Sequence, residues 1–260
     1  PVGSFRALKG GAWPAAGGLG VIAGFVILSF YSVVGGWTLA YAIKSVTGAL
    51  ASNDPKVLGA AFGTFIADPL DVIGFHTAFM VLTLVIVAGG VRHGIERAAR
   101  ILMPILALLV IVLAVRAVTL DGAAKGIAFF LTPDFSKVTW NTVNAALGQA
   151  FFSLSLGMGT MITYASYLNR QVNLPKTAAQ VTLLDTGFAV IAGLMILPAV
   201  FAFGFDPAAG PGLPFITLPA VFAQMPAGAL FSFLFFILLA IAALTSAVSI
   251  IEPVVSYLID

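Results

Sequence analysis

Long apolar runs, each ended by a short polar or charged stretch, follow one another along the whole chain. Residues 19–43 alone supply 25 positions without a charged side chain. An α-helix needs roughly 20 such residues to cross a hydrocarbon core about 30 Å thick. Charged or Pro/Gly-rich punctuation separates six candidate spans, at about 17–47, 72–91, 99–120, 140–168, 177–204 and 221–259. The pattern predicts an all-α integral membrane protein, a multi-span bundle of about six transmembrane helices in one membrane segment, residues 1–260. A signal peptide has one short apolar run between a basic start and a cleavage site, which does not describe a chain that stays apolar throughout. The stretches 121–139 and 205–226, the first with an apolar run and the second rich in proline, are predicted to form short interfacial helices or a hairpin capping a cavity.

Composition sharpens this picture. The chain is 60% hydrophobic and 8% charged, with mean hydropathy +1.10, whereas about 25% of a soluble domain is Asp, Glu, Lys and Arg. Cysteine is absent and His76 and His93 are the only histidines, so disulfides and thiolate or imidazole metal centres are not expected. The net charge is +2, and the basic residues sit in clusters between apolar runs; the partner they imply is a lipid bilayer, not a nucleic acid. Arg6, the group Arg92, Arg97 and Arg100, and Arg170 alternate with a loop carrying Asp54, Asp68 and Asp71, and Arg116 alone falls on the acidic side. By the positive-inside rule both ends are expected to be cytoplasmic, and an even number of spans agrees. The expected location is the plasma membrane, multi-pass, as in a prokaryotic inner membrane. Pro1 in place of Met, and Asp260 directly after an apolar run, give the expectation of a segment excised from a longer chain.

Two carboxylates fall inside predicted spans, Asp185 and Glu252. A charge at the centre of a membrane helix costs roughly 2.5–3.5 kcal/mol on insertion scales, so such groups face a cavity, an ion or a partner. For Asp185 the structural alternative is a hydrogen bond to Thr182 or Thr186; for Glu252 function and structure are equally open. The fourth span carries Ser153, Ser155, Gly157 and Gly159 at its middle. Glycine weakens a helix there, and a broken membrane helix is tolerated where its free backbone lines a cavity that binds ions or zwitterions. Small-residue packing is the alternative, but it does not ask for Gln149 and the pair Phe151 and Phe152 alongside. In the sixth span Thr245, Ser246 and Ser249 can ligate a hard cation or bond the carbonyl one turn back. Gly94 and Pro104 bracket the start of the third span as a hinge or a bend. There is no Walker loop, HExxH or GxSxG, and Asp185 and Glu252 stand on different spans, so an intramembrane enzyme is not expected.

The stretch from Ser32 through Trp37 to Lys44, the run Gly94 to Arg97, the run Thr132 to Phe135, the segment 149–160 and the triplet Leu244 to Ser246 together resemble the neurotransmitter:sodium symporter family. The resemblance covers essentially the whole chain and corresponds to family helices three to eight. It implies part of a leucine-transporter-type inverted-repeat fold and a sodium-coupled symporter of amino acids working by alternating access. A non-transporting receptor or regulatory membrane subunit of the same fold is the alternative. Substrate contacts carried over by the resemblance are Ile27, Tyr31, Phe152, Ser153, Ser155, Met158, Ser246 and Ile250. One sodium site would use Ser153 and Asp185, the second the Ala242 carbonyl with Thr245 and Ser246, each completed by helices of the parent chain beyond this segment. Tyr31 and Phe152 match the aromatic pair that closes over substrate, and Ser166, Tyr167 and Asp260 match a cytoplasmic gate. Asp185 stands where many relatives have asparagine, and Ala189 where others carry a serine or a glutamate; the resemblance then implies that chloride is not required, Asp185 itself balancing the sodium charge. Met158 replaces a phenylalanine of some relatives, and its flexible thioether points to hydrophobic, including aromatic, amino acids.

Overall fold

The structure is a computed structural model describing residues 1–169, 171–208 and 210–259; Arg170, used above for topology, and the gate candidate Asp260 lie outside the described residues. Among the described residues every regular element is helical: α1 (Val2–Leu8), α2 (Trp13–Val46), α3 (Pro55–Ala67), α4 (Pro69–Ala88), α5 (Arg97–Val118), α6 (Ala123–Leu131), α7 (Trp140–Ser153), α8 (Thr160–Ser166), α9 (Leu174–Ala202), α10 (Leu218–Ala223) and α11 (Gly228–Ile259), with short 3-10 and π turns between them. By length and composition five helical stretches are able to cross a membrane: α2, α4, Val91–Val118, α9 and α11. Their surfaces carry Phe25, Val85, Leu108, Leu183 and Leu230, all largely exposed, as suits hydrocarbon and not water as solvent. The stretch 140–168 comprises α7 and α8, with residues 154–159 between them.

Local chemistry sets the boundaries. Asp54 and Asp68 are N-caps, each followed by a proline at the first helical position: Asp54 Oδ1 accepts from the Lys56 amide at 2.8 Å and Asp68 Oδ1 from the Leu70 amide at 2.9 Å. Thr139 opens α7 with a reciprocal capping box to Thr142. In the loop before it, hydrogen bonds from Ser136 and Lys137 hold the Asp134 carboxyl below its ordinary range. The link from α4 to α5 is a π turn, Val91–Glu96. A methyl group on Gly94 would collide with the Ile86 carbonyl oxygen, so only glycine fits this tight passage. Pro104 lies within α5.

Contacts divide the chain into two units. The first consists of Pro1–Tyr31, Asp134–Phe188 and Ser246–Asp260, the second of Ser32–Pro133 and Ala189–Thr245. The second unit is built on aromatic rings. Tyr41, 1% exposed, stands with its ring centroid 5.2 Å from Phe215, 5.1 Å from Phe236 and 5.9 Å from Phe65. Phe62 stacks on Phe215 at 5.4 Å, and both meet the edge or face of Trp37. Each such pair is worth about 0.5–1.5 kcal/mol beyond the area it buries. Lys44 places its ammonium 4.1 Å from the centroid of Phe65. The predicted cap at 205–226 holds a π turn, Leu213–Thr217, and α10; its Phe215 is a member of the aromatic cluster.

Candidate functional site

In the first unit the sequence breaks a helix where glycines and serines replace large side chains. α7 ends at Ser153, and three of the next six residues take left-handed backbone: Ser155 at φ 53°, Gly157 at 83° and Gly159 at 80°. Amides of Leu154, Ser155 and Leu156 turn back to the carbonyls of Ala150, Phe152 and Phe151 at 3.0, 3.1 and 2.8 Å, closing the helix end. α8 starts only at Thr160, so the peptide groups of residues 154–159 belong to neither helix. A cavity of about 260 Å³ opens on this break, lined among others by Gly20, Ser155, Leu156, Gly157 and Met161.

At the end of α7 the Ser153 hydroxyl donates to both oxygens of Asp185 on α9, at 2.8 and 2.9 Å. A hydroxyl set symmetrically before a carboxylate gathers three oxygens, the donor type a hard cation such as sodium takes. Local satisfaction of Asp185 by Thr182 does not occur, because the Thr182 hydroxyl donates to the Ala178 carbonyl at 3.0 Å. Asp185 is half-buried.

The remaining residues singled out in the sequence fall into three groups. Ile27 and Tyr31 lie on α2, and the Tyr31 and Ser246 side chains share a hydrogen bond. Met158, 5% exposed, and Ile250, also 5% exposed, are buried, while Phe152 is 47% exposed. All of these belong to the first unit. Ala242 and Thr245 belong to the second, where the Thr245 hydroxyl lies 3.1 Å from the Ile241 carbonyl and 3.0 Å from the Ala242 carbonyl. That is the back-bonded arrangement expected of a membrane-helix threonine. Ser166 donates to the Thr163 carbonyl at 2.6 Å.

Glu252 gains a definite place. It is 6% exposed and accepts a hydrogen bond from the Tyr167 hydroxyl at 2.7 Å. One turn away the Tyr164 hydroxyl donates to Ser249 Oγ at 3.0 Å, and Thr160 donates to the Ser249 carbonyl at 3.3 Å. Sequence reasoning did not pair these residues. The signal was present as polar positions at helical spacing, Thr160 and Tyr164 on α8 and Tyr167 just past its end against Ser249 and Glu252 on α11, but only the fold aligns the two faces.

Comparison with known proteins supplies the frame for this site. The model of the sodium:neurotransmitter symporter family matches residues 71–260. An uncharacterized sodium-dependent transporter of Bacillus subtilis is 46% identical over 245 residues, covering 94% of this chain and 54% of the relative. Another from Methanocaldococcus jannaschii is 37% identical over 269 residues, covering 97% of this chain and 54% of the relative. Among solved structures, MhsT in complex with L-phenylalanine superposes with a TM-score of 0.86 at 48% identity, over 98% of this chain and 58% of that one. The chain thus spans about half the length of the relatives it matches.

Proposed function

The chain belongs to the sodium:neurotransmitter symporter family, and from that premise we propose that it forms the central part of a sodium-coupled amino-acid symporter working by alternating access. Its fold is all-helical and of the leucine-transporter type, as the likeness to MhsT establishes. The observation that carries the proposal is the Ser153–Asp185 pair at the mouth of a broken helix.

The break supplies what transport needs from this region. Non-helical peptide groups and a paired hydroxyl and carboxylate bind a cation and the charged groups of an amino acid. Tyr31, Phe152, Met158 and Ile250 are the residues proposed to offer apolar and aromatic surface to its side chain. Hydrophobic and aromatic amino acids are the proposed substrates, a reading supported by the phenylalanine bound to MhsT and by the adaptable thioether of Met158. Two sodium ions are proposed, one at Ser153 and Asp185 and one taking the Ala242 carbonyl and the hydroxyls of Thr245 and Ser246. A sodium ion beside Asp185 has its charge met within the site, so a separate anion has no work to do there; transport is proposed not to need chloride. The membrane is proposed to be the bacterial plasma membrane, with Arg92, Arg97 and Arg100 on the cytoplasmic side.

The test is uptake of labelled hydrophobic amino acids into proteoliposomes holding the protein expressed from its complete reading frame. An inward sodium gradient is expected to drive accumulation, potassium on both sides to give none, and replacement of chloride by gluconate to leave the rate unchanged. Asp185→Asn is expected to lower uptake at limiting sodium by at least about tenfold, the cost of roughly 1.4 kcal/mol of lost cation binding. Sodium-dependent binding without flux would place the protein among receptors of this fold, and chloride-dependent uptake would remove the charge-balancing role of Asp185.

A further inference from the structure

Half of the arginines of this chain stand within nine residues of the second unit. Arg92, Arg97 and Arg100 are three of six in 260 positions. They occupy the π turn after α4 and the first turn of α5, and all three are exposed. Val91–Val118 is one helical stretch, so at about 1.5 Å of rise per residue Arg92 and Arg100 are about 12 Å apart along its axis. The turn that carries them is packed on bare backbone: a methyl group on Gly89 would lie 2.8 Å from the Gly94 Cα, and one on Gly94 would collide with the Ile86 carbonyl oxygen. Leu84 and Val85 on α4, and Ile101 and Ile105 on α5, are exposed on the adjoining turns. Basic side chains at the ends of hydrocarbon-facing helices reach the headgroup layer.

The three guanidiniums are not equivalent. Arg100 Nη2 lies 2.6 Å from Glu96 Oε1, an ion pair one turn along the helix. Glu96 is the one acidic residue between Asp71 and Asp121, and Arg92 and Arg97 have no acidic partner among the described residues. A guanidinium is a planar fork of donors matched to two oxygens of a phosphate. Two such forks are therefore free and a third is occupied.

We propose that Arg92 and Arg97 form a docking site for the phosphodiester headgroup of an anionic phospholipid, with Arg100 held out of it by Glu96. Charge complementarity selects the occupant. A zwitterionic lipid carries an ammonium beside its phosphate, which a second guanidinium repels, whereas phosphatidylglycerol presents the phosphate alone. Topology signalling also places arginines in such a link, but it counts positive charges; docking counts unpaired guanidiniums, and Glu96 separates the two. The proposal rests on residence in a membrane and not on symport, so a protein without sodium-driven uptake leaves it standing.

The experiment titrates phosphatidylglycerol, and in parallel phosphatidylcholine, into the delipidated protein from its complete reading frame, with the apparent Kd of the first bound lipid read by native mass spectrometry. Wild type is expected to bind phosphatidylglycerol at least about tenfold tighter. A basic side chain near an anionic surface is worth about fivefold in affinity, so Arg92→Gln with Arg97→Gln is expected to weaken phosphatidylglycerol by about twenty-fivefold. Lys56→Gln with Lys125→Gln removes the same charge from exposed positions elsewhere and is expected to change nothing. Glu96→Gln releases Arg100 and is expected to tighten binding by about fivefold; it removes no positive charge, so it remains informative should the double arginine variant insert wrongly. Equal affinity of wild type for the two lipids, a double arginine variant with wild-type affinity, equal losses in the lysine control, or a Glu96→Gln no tighter than wild type would each overturn the proposal.

Discussion

Ser155 shows how the break between α7 and α8 stores strain in a single residue. Its φ of 53° puts an L-side chain where Cβ crowds the carbonyl that follows, at a cost of about 1–2 kcal/mol. Glycines at 157 and 159 meet the same requirement without that cost. Among the three left-handed residues of the break Ser155 alone carries a side chain, and an observed strain of this kind points to a use for the hydroxyl. Ser155→Gly is therefore expected to raise thermal stability by about 1 kcal/mol, less the entropy lost by a freer unfolded chain, while weakening substrate affinity. A thermal shift assay and uptake kinetics on the same preparation check both halves; a variant equal to wild type in KM would leave the strain without a functional reason. The two glycines make the break visible in the sequence. Ser155 is not visible as its third left-handed residue, because serine has no preference for that conformation and it follows only from the path the chain takes between α7 and α8.

Elements are held here by polar contacts that hydrocarbon surroundings make selective. The hydroxyls of Thr160 and Tyr164 on α8 and of Tyr167 at its C-terminal cap form successive rungs to α11, and Glu252 at the last rung is buried. Removing the donor strands a buried carboxylate, whereas converting the carboxylate to an amide keeps an acceptor for the phenol. Tyr167→Phe is thus expected to destabilise the protein by about 1 kcal/mol or more and Glu252→Gln by clearly less, with Ser166→Ala, whose hydroxyl donates within its own helix, close to neutral. Thermal denaturation in detergent orders the three, and equal losses for Tyr167→Phe and Ser166→Ala would mean that the rung carries no weight. At this scale length was the strongest guide. Long apolar runs mark the stretches in which α2, α4, α5, α9 and α11 lie, although the run from 221 takes in the end of α10 and begins seven residues before α11 does. The 13-residue α3 escaped notice in spite of its Asp-Pro start, because it is too short to be recognised by a spanning criterion and carries no polar face to mark it. Pairing of elements was illegible for a different reason: a periodic stripe names a face but not the helix that covers it.

The whole molecule has little charge to spend, with twelve basic and ten acidic residues in 260, and most of it lies at helix ends and in the connections between helices. Asp185 is an exception, half-buried and answered by one neutral hydroxyl. A carboxylate in that situation is poorly compensated until a cation arrives, so binding should be felt by the fold as a whole and not only by transport. A ligand that binds the folded state alone stabilises it by RT ln(1 + [L]/Kd), about 2.7 kcal/mol at a hundredfold excess over Kd. The melting temperature is accordingly expected to rise with sodium and not with potassium at equal ionic strength, with the same rise in chloride and gluconate. Asp185→Asn is expected to flatten the sodium dependence while leaving stability in potassium equal to or above wild type, since the substitution removes a charge that potassium does not neutralise. The comparison separates site from scaffold. A variant that melts lower in both salts would mark Asp185 as a structural residue, and one that keeps the sodium shift at the wild-type half-saturation would place the ion elsewhere.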